Sequence, residues 1–203
     1  MNGSKSSMTA KHPPLPKWGL AIDWETSGYS IPNYAEKHQG ISFGAIIFDI
    51  ESFEPVETLY REVKFRDDKY LWDDGAEKVH GISRAHLSQH GISQEEAATE
   101  LGTMVLKYIG TDKVVLLGHR VYFDEAFTNQ LMDSVELKFN YDPIRLDSAA
   151  ISLAFLHMTR SDMIFETMGY PARGAHNALD DIKMTLGTIR TLKQFLLKGL
   201  EQG

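Results

Sequence analysis

The amino-acid sequence predicts a single α/β domain in which helices flank a mixed β-sheet. Strand-like segments come first along the chain, and helices with one further strand follow them. This order is typical of a mixed sheet with helices packed against it. A chain of 203 residues with 42% hydrophobic residues is also long enough to form a complete core. We therefore expect one domain over residues 18–203, after a disordered leader at 1–17 that is rich in Ser, Lys and Pro.

The first strand is a short apolar run, Trp18 to Ile22, that follows the proline-rich segment. Residues two apart in a strand point to the same side, so Asp23 and Glu25 share a side. Trp24 then faces the opposite way, into the core. Three small residues follow: Thr26, Ser27 and Gly28. Their flexible backbone would let a ligand approach closely, although the same pattern fits a strand that simply ends in a polar turn.

The middle of the chain contains an alternating strand and a capped helix. Alternation of apolar and polar residues from Leu59 to Phe65 predicts the third strand. Ser93 and Glu96 form a capping-box pattern, which predicts the start of a helix over about 94–108. The core side of this helix would carry Ala97, Leu101, Val105 and Tyr108.

A second acidic segment follows the buried strand predicted at Val114 to Gly118. It begins at His119 and ends at Asp124, where a helical pattern starts. The core positions of that helix recur every four residues at Phe123, Phe127, Leu131 and Val135. Asp124 lies near the helix start, so compensation of the helix dipole is an alternative explanation for its position.

Two shorter helices are predicted before the end of the chain. Asp147 would cap a helix that runs to about residue 157. A second helix would run from Asp162 to Met168 and end at Gly169. The segment 171–174 then leads to His176, and we expect it to be mobile, either as a gate that brings the histidine in or as a plain linker.

The last helix carries apolar residues at helical spacing, from Ile182 to Leu196. Asn177 is the expected N-cap, with Asp180 as its capping-box partner at the third helical position. Asp181 then has no local role, which favours it as a ligand for a metal. The spacing leaves the choice open, because Asp180 lies four residues after His176 and could reach the same face.

Each acidic segment lies where a strand stops or a helix starts, so the fold could gather the carboxylates at one edge of the sheet. Clustered carboxylates repel one another unless a cation lies between them. Mg²⁺ prefers oxygen ligands, and two such ions can activate a water and stabilise a leaving oxygen. A nearby histidine can accept the proton of that water. The residues therefore indicate a metal-dependent phosphodiester-cleaving site.

Three segments together resemble the DEDDh branch of the proofreading-type, DnaQ-like exonucleases. The first runs from Asp23 through Glu25 to Gly28, the second from His119 to Asp124, and the third from His176 to Asp181. They stand in the order of the family's three motifs. Accessory segments also resemble the family: residues 41–47 its second strand, 79–83 its His-Gly-Ile loop, and 146–148 the segment after the second motif.

The resemblance implies a ribonuclease-H-like fold with a mixed five-stranded sheet, and a 3′→5′ exonuclease that uses two Mg²⁺ or Mn²⁺ ions. Asp23, Glu25 and Asp181 would hold the catalytic metal, with Asp23 bridging to the second ion. Asp124 would support the metal directly or through water. His176 would be the general base.

The resemblance also implies a substrate site for the 3′-terminal nucleotide. Thr26, Ser27 and Gly28 would hold it together with the loop of His80. His119 would contact substrate or support the site indirectly. Two features depart from the family. Arg120 replaces the usual asparagine, and it would either contact a phosphate or lie in solvent. The segment 29–40 looks longer than usual, and its tyrosines would stack on bases or simply be partly buried.

The expected partner is the 3′ end of single-stranded nucleic acid, without a membrane contact, because no apolar run is long enough to cross a bilayer. The net charge of −7 argues against a long binding footprint. The absence of cysteine excludes disulfides and thiolate chemistry, and we expect a cytoplasmic protein. Alternatives are a ribonuclease that trims RNA 3′ ends or short oligoribonucleotides, a non-catalytic binding module of the same fold, and an unrelated acid-rich metal-binding protein. A homodimer and a polymerase partner both remain open.

Overall fold

The computed structural model describes residues 15–29, 34–172 and 174–201. Its strands are β1 Trp18–Thr26, β2 Gly40–Asp49, β3 Pro55–Glu62, β4 Val114–Gly118 and β5 Tyr141–Asp147. Its helices are α1 Tyr34–Lys37, α2 Asp74–His80, α3 Arg84–His90, α4 Gln94–Tyr108, α5 Val121–Asp133, α6 Ser148–Leu156, α7 Ser161–Thr167 and α8 Ala178–Glu201. Most of the leader expected at 1–17 lies outside the described residues, as does Arg173 in the segment expected to be mobile.

The five strands form one mixed sheet in the order β3-β2-β1-β4-β5. Strand β1 is antiparallel to β2 and parallel to β4, and β4 is parallel to β5. The predicted α/β class with a mixed five-stranded sheet is confirmed. Because β1, β4 and β5 run in the same direction, their carboxyl ends lie at one edge of the sheet, where ligands bind in open α/β sheets.

Helices cover both faces of the sheet. Helices α4 and α5 pack on one face, in a core cluster that includes Leu20, Ile22 and Trp24 of β1. Helix α8 packs on the other face, in a cluster that includes Ala21. Residues alternate between the two faces along a strand, so Asp23 and Glu25 belong to the side of α8. The prediction that Trp24 faces away from the two acids and into the core is confirmed, because it packs in the cluster of α4 and α5.

Two strands differ from the sequence-based prediction. Strand β3 covers Pro55–Glu62, so it begins and ends earlier than the predicted 59–65. Val63 follows it, donates a hydrogen bond to the Ile41 carbonyl of β2 and forms an isolated bridge with Ile92. Strand β5 has no residue-level prediction. Its sequence contains Pro143 and an exposed Ile144, both of which obscure the alternation of an ordinary strand. An edge strand tolerates this composition because only one of its sides needs hydrogen-bond donors.

The helix predictions agree better with the structure. Ser93 accepts a hydrogen bond from the Glu96 backbone N–H at 3.0 Å, and α4 covers the predicted 94–108. Asp147 caps α6, which ends one residue before His157. Gly169 follows α7 with φ of 81°, the left-handed conformation expected at a helix end. Among the described residues, no helix is both long and apolar enough to cross a membrane.

Gly44 lets the start of α8 approach the sheet. Gly44 pairs with Asp23 across β1 and β2, and a Cβ atom there would lie 2.4 Å from the Cα of Leu179. Because this atom belongs to the helix backbone, the clash could be relieved only if the start of α8 moved away from the sheet. The absence of a side chain at Gly44 therefore allows the first turn of α8 to lie close to β2.

We expect Gly44→Ala to lower the free energy of unfolding by about 1–3 kcal/mol, the usual cost of overpacking. Urea denaturation would measure the change. Gly199→Ala is the matched control, because a Cβ there meets nothing within 4 Å, and it should be neutral or stabilising in a helix. Equal effects of the two substitutions would contradict the close approach at Gly44.

Candidate active site

Carboxylates from β1 and α8 meet at the carboxyl edge of the sheet. Glu25 and Asp181 are buried, and Asp23 is partly exposed. One potential ligand atom from each of Glu25, His176 and Asp181 lies within 4.8 Å of the others. The Nδ1 atom of His176 is 3.6 Å from Oδ2 of Asp181. Two distant parts of the chain thus bring acids and an imidazole to one point.

A small cavity of about 100 Å³ opens at this point. Five residues singled out in the sequence line it: Asp23, Glu25, His119, His176 and Asp181. The remaining lining residues are Trp24, Ser161, Phe165 and Thr185. A polar cavity of this size, bounded by carboxylates on two sides, suits a small cation with its water.

Asp124 lies in the first turn of α5 with its side chain buried against β1. Burial raises the pKa of the Asp124 carboxyl well above its ordinary value. The Trp24 backbone N–H opposes this rise as a hydrogen-bond donor, while the charges of Asp147 and Glu25 add to it. Among the described residues, the Oδ2 atom of Asp124 has no hydrogen-bond partner. Compensation of the helix dipole does not account for a carboxylate that is turned away from solvent.

The environment of Asp124 is suited to a cation. Gly118 lies opposite, where a Cβ atom would come within 2.7 Å of Oδ2. The missing side chain leaves room for the carboxylate next to the end of β4. A buried acid with a raised pKa and an unsatisfied oxygen becomes stable as a carboxylate when a metal ion shares its site.

The structure separates Asp180 from Asp181. Asn177 caps α8, since its Oδ1 atom accepts hydrogen bonds from the backbone N–H groups of Leu179 and Asp180. Asp180 is exposed and lies 3.5 Å from Lys183. Asp180 therefore pairs with Lys183 at the surface, and the predicted capping-box contact to Asn177 does not appear among the described hydrogen bonds. Asp181 is the residue that lies beside Glu25 and His176.

His176 is anchored through its backbone. Its N–H donates a 3.0 Å hydrogen bond to the carbonyl of Val79, at the end of α2. The imidazole is 40% exposed while it lies beside Asp181. The side chain thus borders both the acidic cavity and solvent. Movement of the segment before it stays a prediction.

A second cavity, of about 290 Å³, adjoins Glu25. Thr26, Gly28 and His80 line it, together with Tyr29 and residues of α2 and its N-cap. Ser27 differs from its neighbours, because its hydroxyl donates to the Leu71 carbonyl and accepts from the Gln39 backbone N–H. The Ser27 side chain is therefore occupied in holding the strand end and does not line the cavity.

His80 is the last residue of α2, rather than part of a loop. Its Nδ1 accepts a 3.0 Å hydrogen bond from the Ile82 backbone N–H, so the neutral ring carries its proton on Nε2. Burial lowers the pKa of His80, although the charge of Glu77 opposes the change. The Nε2–H donor is buried beside the Thr26 backbone at the wall of this cavity.

His119 joins the end of β4 to the helices beyond it. Its Nδ1 lies 2.9 Å from the Ser148 hydroxyl, and its Nε2 lies 3.1 Å from the Thr159 carbonyl. With Nε2–H donating to the carbonyl, Nδ1 accepts from the hydroxyl. These two hydrogen bonds hold the His119 ring in the wall of the acidic cavity, between the start of α6 and the segment before α7.

Thr128 is a residue of the site region that the sequence-based reasoning missed. The Trp24 indole N–H donates a 3.0 Å hydrogen bond to Thr128 Oγ1, which donates to the Asp124 carbonyl at 2.8 Å. All three residues are buried. The side chain between the two acids of β1 thus ties that strand to the helix of Asp124. The only signal in the sequence is a polar residue at a core position, four residues after Asp124.

We expect Trp24→Phe to lower the free energy of unfolding by about 1–3 kcal/mol, because buried Thr128 loses its donor. Thermal melting would report the loss. Trp18→Phe is the control from the same strand, since the Trp18 ring packs edge-on against Tyr108 at a centroid distance of 5.8 Å. A smaller loss for Trp24→Phe than for Trp18→Phe would contradict the role of this hydrogen bond.

Comparison with known families adds an independent finding. The exonuclease family model RNase_T matches residues 20–188, from β1 into α8. A search of curated proteins found no match.

Solved structures share the fold at low sequence identity. The nuclease domain of 3′hExo, a DEDDh family member bound to rAMP, has 19% identity and a TM-score of 0.67, over 88% of this chain and 92% of that one. A 3′-exonuclease that recognises the 3′ end of a histone mRNA stem-loop has 17% identity and a TM-score of 0.69. The match covers 90% of this chain and 84% of that one. The zinc-bound complex of E. coli exonuclease I with single-stranded DNA has 22% identity and a TM-score of 0.70. The match covers 89% of this chain but 41% of that one. The predicted ribonuclease-H-like fold is confirmed.

Proposed function

Because the chain belongs to the exonuclease family RNase_T, we propose that it removes nucleoside monophosphates from the 3′ ends of single-stranded DNA or RNA. Its predicted place among the DnaQ-like exonucleases is confirmed by the family match and the shared fold. The observation that carries the proposal is the convergence of Glu25, His176 and Asp181 within 4.8 Å, beside Asp23. The direction of cleavage, the substrate and the residue roles below are parts of the proposal.

Exonucleases of this family depend on divalent metals, and the residues present fit such ions. Asp23, Glu25 and Asp181 would hold the catalytic metal, and Asp23 would bridge to a second one. Asp124 would support them, which agrees with its raised pKa and its unsatisfied Oδ2 atom. Two Mg²⁺ or Mn²⁺ ions supply activation of a water and stabilisation of the leaving oxygen when they are bound.

His176 is the proposed general base. Its imidazole borders the acidic cavity, so it can accept a proton from a water that lies there. It is also 40% exposed, so the proton can pass to solvent afterwards. Asp181 lies beside the ring, with its Oδ2 atom 3.6 Å from Nδ1.

The 290 Å³ cavity is the proposed site of the 3′-terminal nucleoside. It shares Glu25 with the acidic cavity, so a nucleoside there would place its 5′-phosphate beside the carboxylates. Thr26 and Gly28 would contact the nucleoside, and His80 would line the cavity beside it. Ser27 would contribute through the strand end that it holds, and His119 through the wall of the acidic cavity.

The main alternative is a ribonuclease that trims RNA 3′ ends or degrades short oligoribonucleotides. The rAMP-bound 3′hExo domain shares the fold, and a fold likeness at 19% identity does not choose between RNA and DNA. A non-catalytic module is less favoured, because all five catalytic positions of the motifs are occupied and gather at one edge. The net charge of −7 supports binding of a few nucleotides at a chain end.

The direction of cleavage can be tested with two forms of one single-stranded oligonucleotide, one with a free 3′-hydroxyl and one with a blocked 3′ end, each labelled at its 5′ end. We expect progressive shortening of the free form, release of nucleoside 5′-monophosphates, and protection of the blocked form. Equal cleavage of both forms, or early release of the labelled 5′ nucleotide, would overturn the 3′→5′ direction.

A further inference from the structure

We propose that an aromatic cavity with one arginine, beside the acidic site, binds the second nucleotide from the 3′ end. Its base would stack on Tyr122 and Tyr29, and its 5′-phosphate would pair with Arg120. This proposal rests on the proposed function and extends it to the substrate on the other side of the cleaved bond.

Three of the cavities share lining residues with the acidic site, and a phosphodiester held at the acids needs two of them. The cavity of about 290 Å³ shares Glu25 with that site. A second, of about 400 Å³, shares His119. A third, of about 420 Å³, shares His176 and Phe165. Tyr29 lies in the wall of both the first and the second cavity, so it separates two sites of suitable size for the two nucleosides.

Charge favours the second cavity over the third for the upstream nucleotide. Asp162 and Glu166 line the third cavity. Asp162 is paired with Arg160, so Glu166 is the acid that would repel a phosphate there. The second cavity contains Arg120 as its cation, next to Asp147. The Asp147 carboxylate already accepts backbone N–H groups of Ala149, Ala150 and Arg120, at 2.9, 3.4 and 3.2 Å. These hydrogen bonds hold the Asp147 carboxylate at the start of α6. The exposed Arg120 side chain is then the cavity's positive group that can meet a phosphate.

The aromatic rings of the second cavity form a braced surface with open faces. The rings of Tyr29 and Tyr34 stack with their centroids 5.9 Å apart and an interplanar angle of 11°. Phe123 packs 4.9 Å from Tyr34 and so supports the stack from α5. Tyr29 is nevertheless 55% exposed, and Tyr122 is 66% exposed. Packing of α1 against α5 accounts for Tyr34 and Phe123. It does not account for large aromatic side chains left open to solvent, which suit base stacking.

Arg120 is held in an unusual backbone conformation at the mouth of this cavity. Its φ is 58° and its ψ is 52°, the left-handed region that non-glycine residues seldom adopt. The hydrogen bond from its N–H to Asp147 fixes this conformation. The side chain is exposed, and among the described residues it forms no ion pair. A planar guanidinium in this position can bind a phosphate through two parallel hydrogen bonds.

Short substrates with a defined second nucleotide test the proposal. The three probes are a dinucleotide with a 5′-phosphate, the same dinucleotide without it, and the p-nitrophenyl ester of thymidine 5′-monophosphate, which has no second nucleotide. The measured quantity is the ratio of kcat/KM for each dinucleotide to that for the ester, in the wild-type protein, Arg120→Gln and Tyr122→Ala.

We expect Arg120→Gln to lower the ratio about tenfold for the 5′-phosphorylated dinucleotide, through KM, and to change little for the unphosphorylated one. Tyr122→Ala should lower the ratio for both dinucleotides. Arg66→Gln is the control, because Arg66 is an exposed arginine that pairs with Asp68 elsewhere on the surface. Wild-type ratios in both test variants would overturn the proposal. A wild-type protein that cleaves no probe would overturn the proposed function itself, so the two failures are distinguishable.

Discussion

Asp181→Asn should abolish cleavage, whereas Asp180→Asn should leave it nearly unchanged. The amide keeps the size of the side chain but removes the negative charge that a divalent metal requires. Asp181 is buried beside Glu25 and His176, so its charge acts on the acidic cavity. Asp180 is exposed and pairs with Lys183, and surface ion pairs contribute little. Initial rates on a 5′-labelled oligonucleotide at saturating Mg²⁺ would measure both effects.

The two variants are matched in chemistry and lie one residue apart in α8, so melting temperatures provide a direct control for folding. Neither variant should melt far below the wild-type protein. Added Mn²⁺ should raise the melting temperature of Asp181→Asn less than that of the wild-type protein, because a ligand of the proposed site has been lost. An active Asp181→Asn protein together with an inactive Asp180→Asn protein would reverse the assignment of the ligand.

His176→Ala should lower kcat by about 10²–10⁴-fold, the usual effect of losing a general base. Metal affinity should be retained, because the carboxylates of β1 and α8 remain in place. The measurements are kcat at saturating Mg²⁺ and a calorimetric titration with Mn²⁺. His86→Ala is the control, since His86 pairs with Glu62 at the surface.

The calorimetric titration separates two roles that the geometry alone allows. The imidazole lies within 4.8 Å of the Glu25 and Asp181 ligand atoms, a distance at which it could also bind a metal. A parallel loss of rate and of Mn²⁺ affinity would make His176 a ligand rather than a base. An unchanged rate would remove it from the chemistry.

Local periodicity predicted the parts of the fold and the site that a single element determines. The alternation along β1 places Asp23 and Glu25 on one side and Trp24 on the other, and the structure agrees. The helices capped by Ser93, Asp147 and Asn177 also start where their caps predict. These features depend on a few neighbouring residues, so the sequence contains the necessary information.

Features that depend on packing between distant elements were beyond local patterns. Spacing alone leaves the choice between Asp180 and Asp181 open until the packing of α8 on the sheet is known, and the close approach at Gly44 is part of that packing. Ser27 looked like a ligand contact, but its hydroxyl bridges Leu71 and Gln39. Burial of Asp124 likewise depends on how α5 lies across β1.

The position of Trp24 illustrates how the site is held. The acids of β1 point to α8, while the side chain between them reaches Thr128 on α5. One strand thus links the carboxylate of Asp181 on one face to that of Asp124 at the edge of the other. Helix packing on both faces of the sheet therefore determines the spacing of the acids, which must suit the metal ions that the family requires.

Cleavage of matched 5′-labelled single-stranded DNA and RNA with Mg²⁺, Mn²⁺ or EDTA, beside the Asp23→Ala variant, would test the catalytic role of the acidic site. We expect a ladder that shortens from the 3′ end, requires metal, and is absent in the variant. The relative rates would also rank DNA against RNA. Absence of cleavage with either metal, or a ladder of equal strength from Asp23→Ala, would contradict the assignment of this acidic site as the catalytic centre.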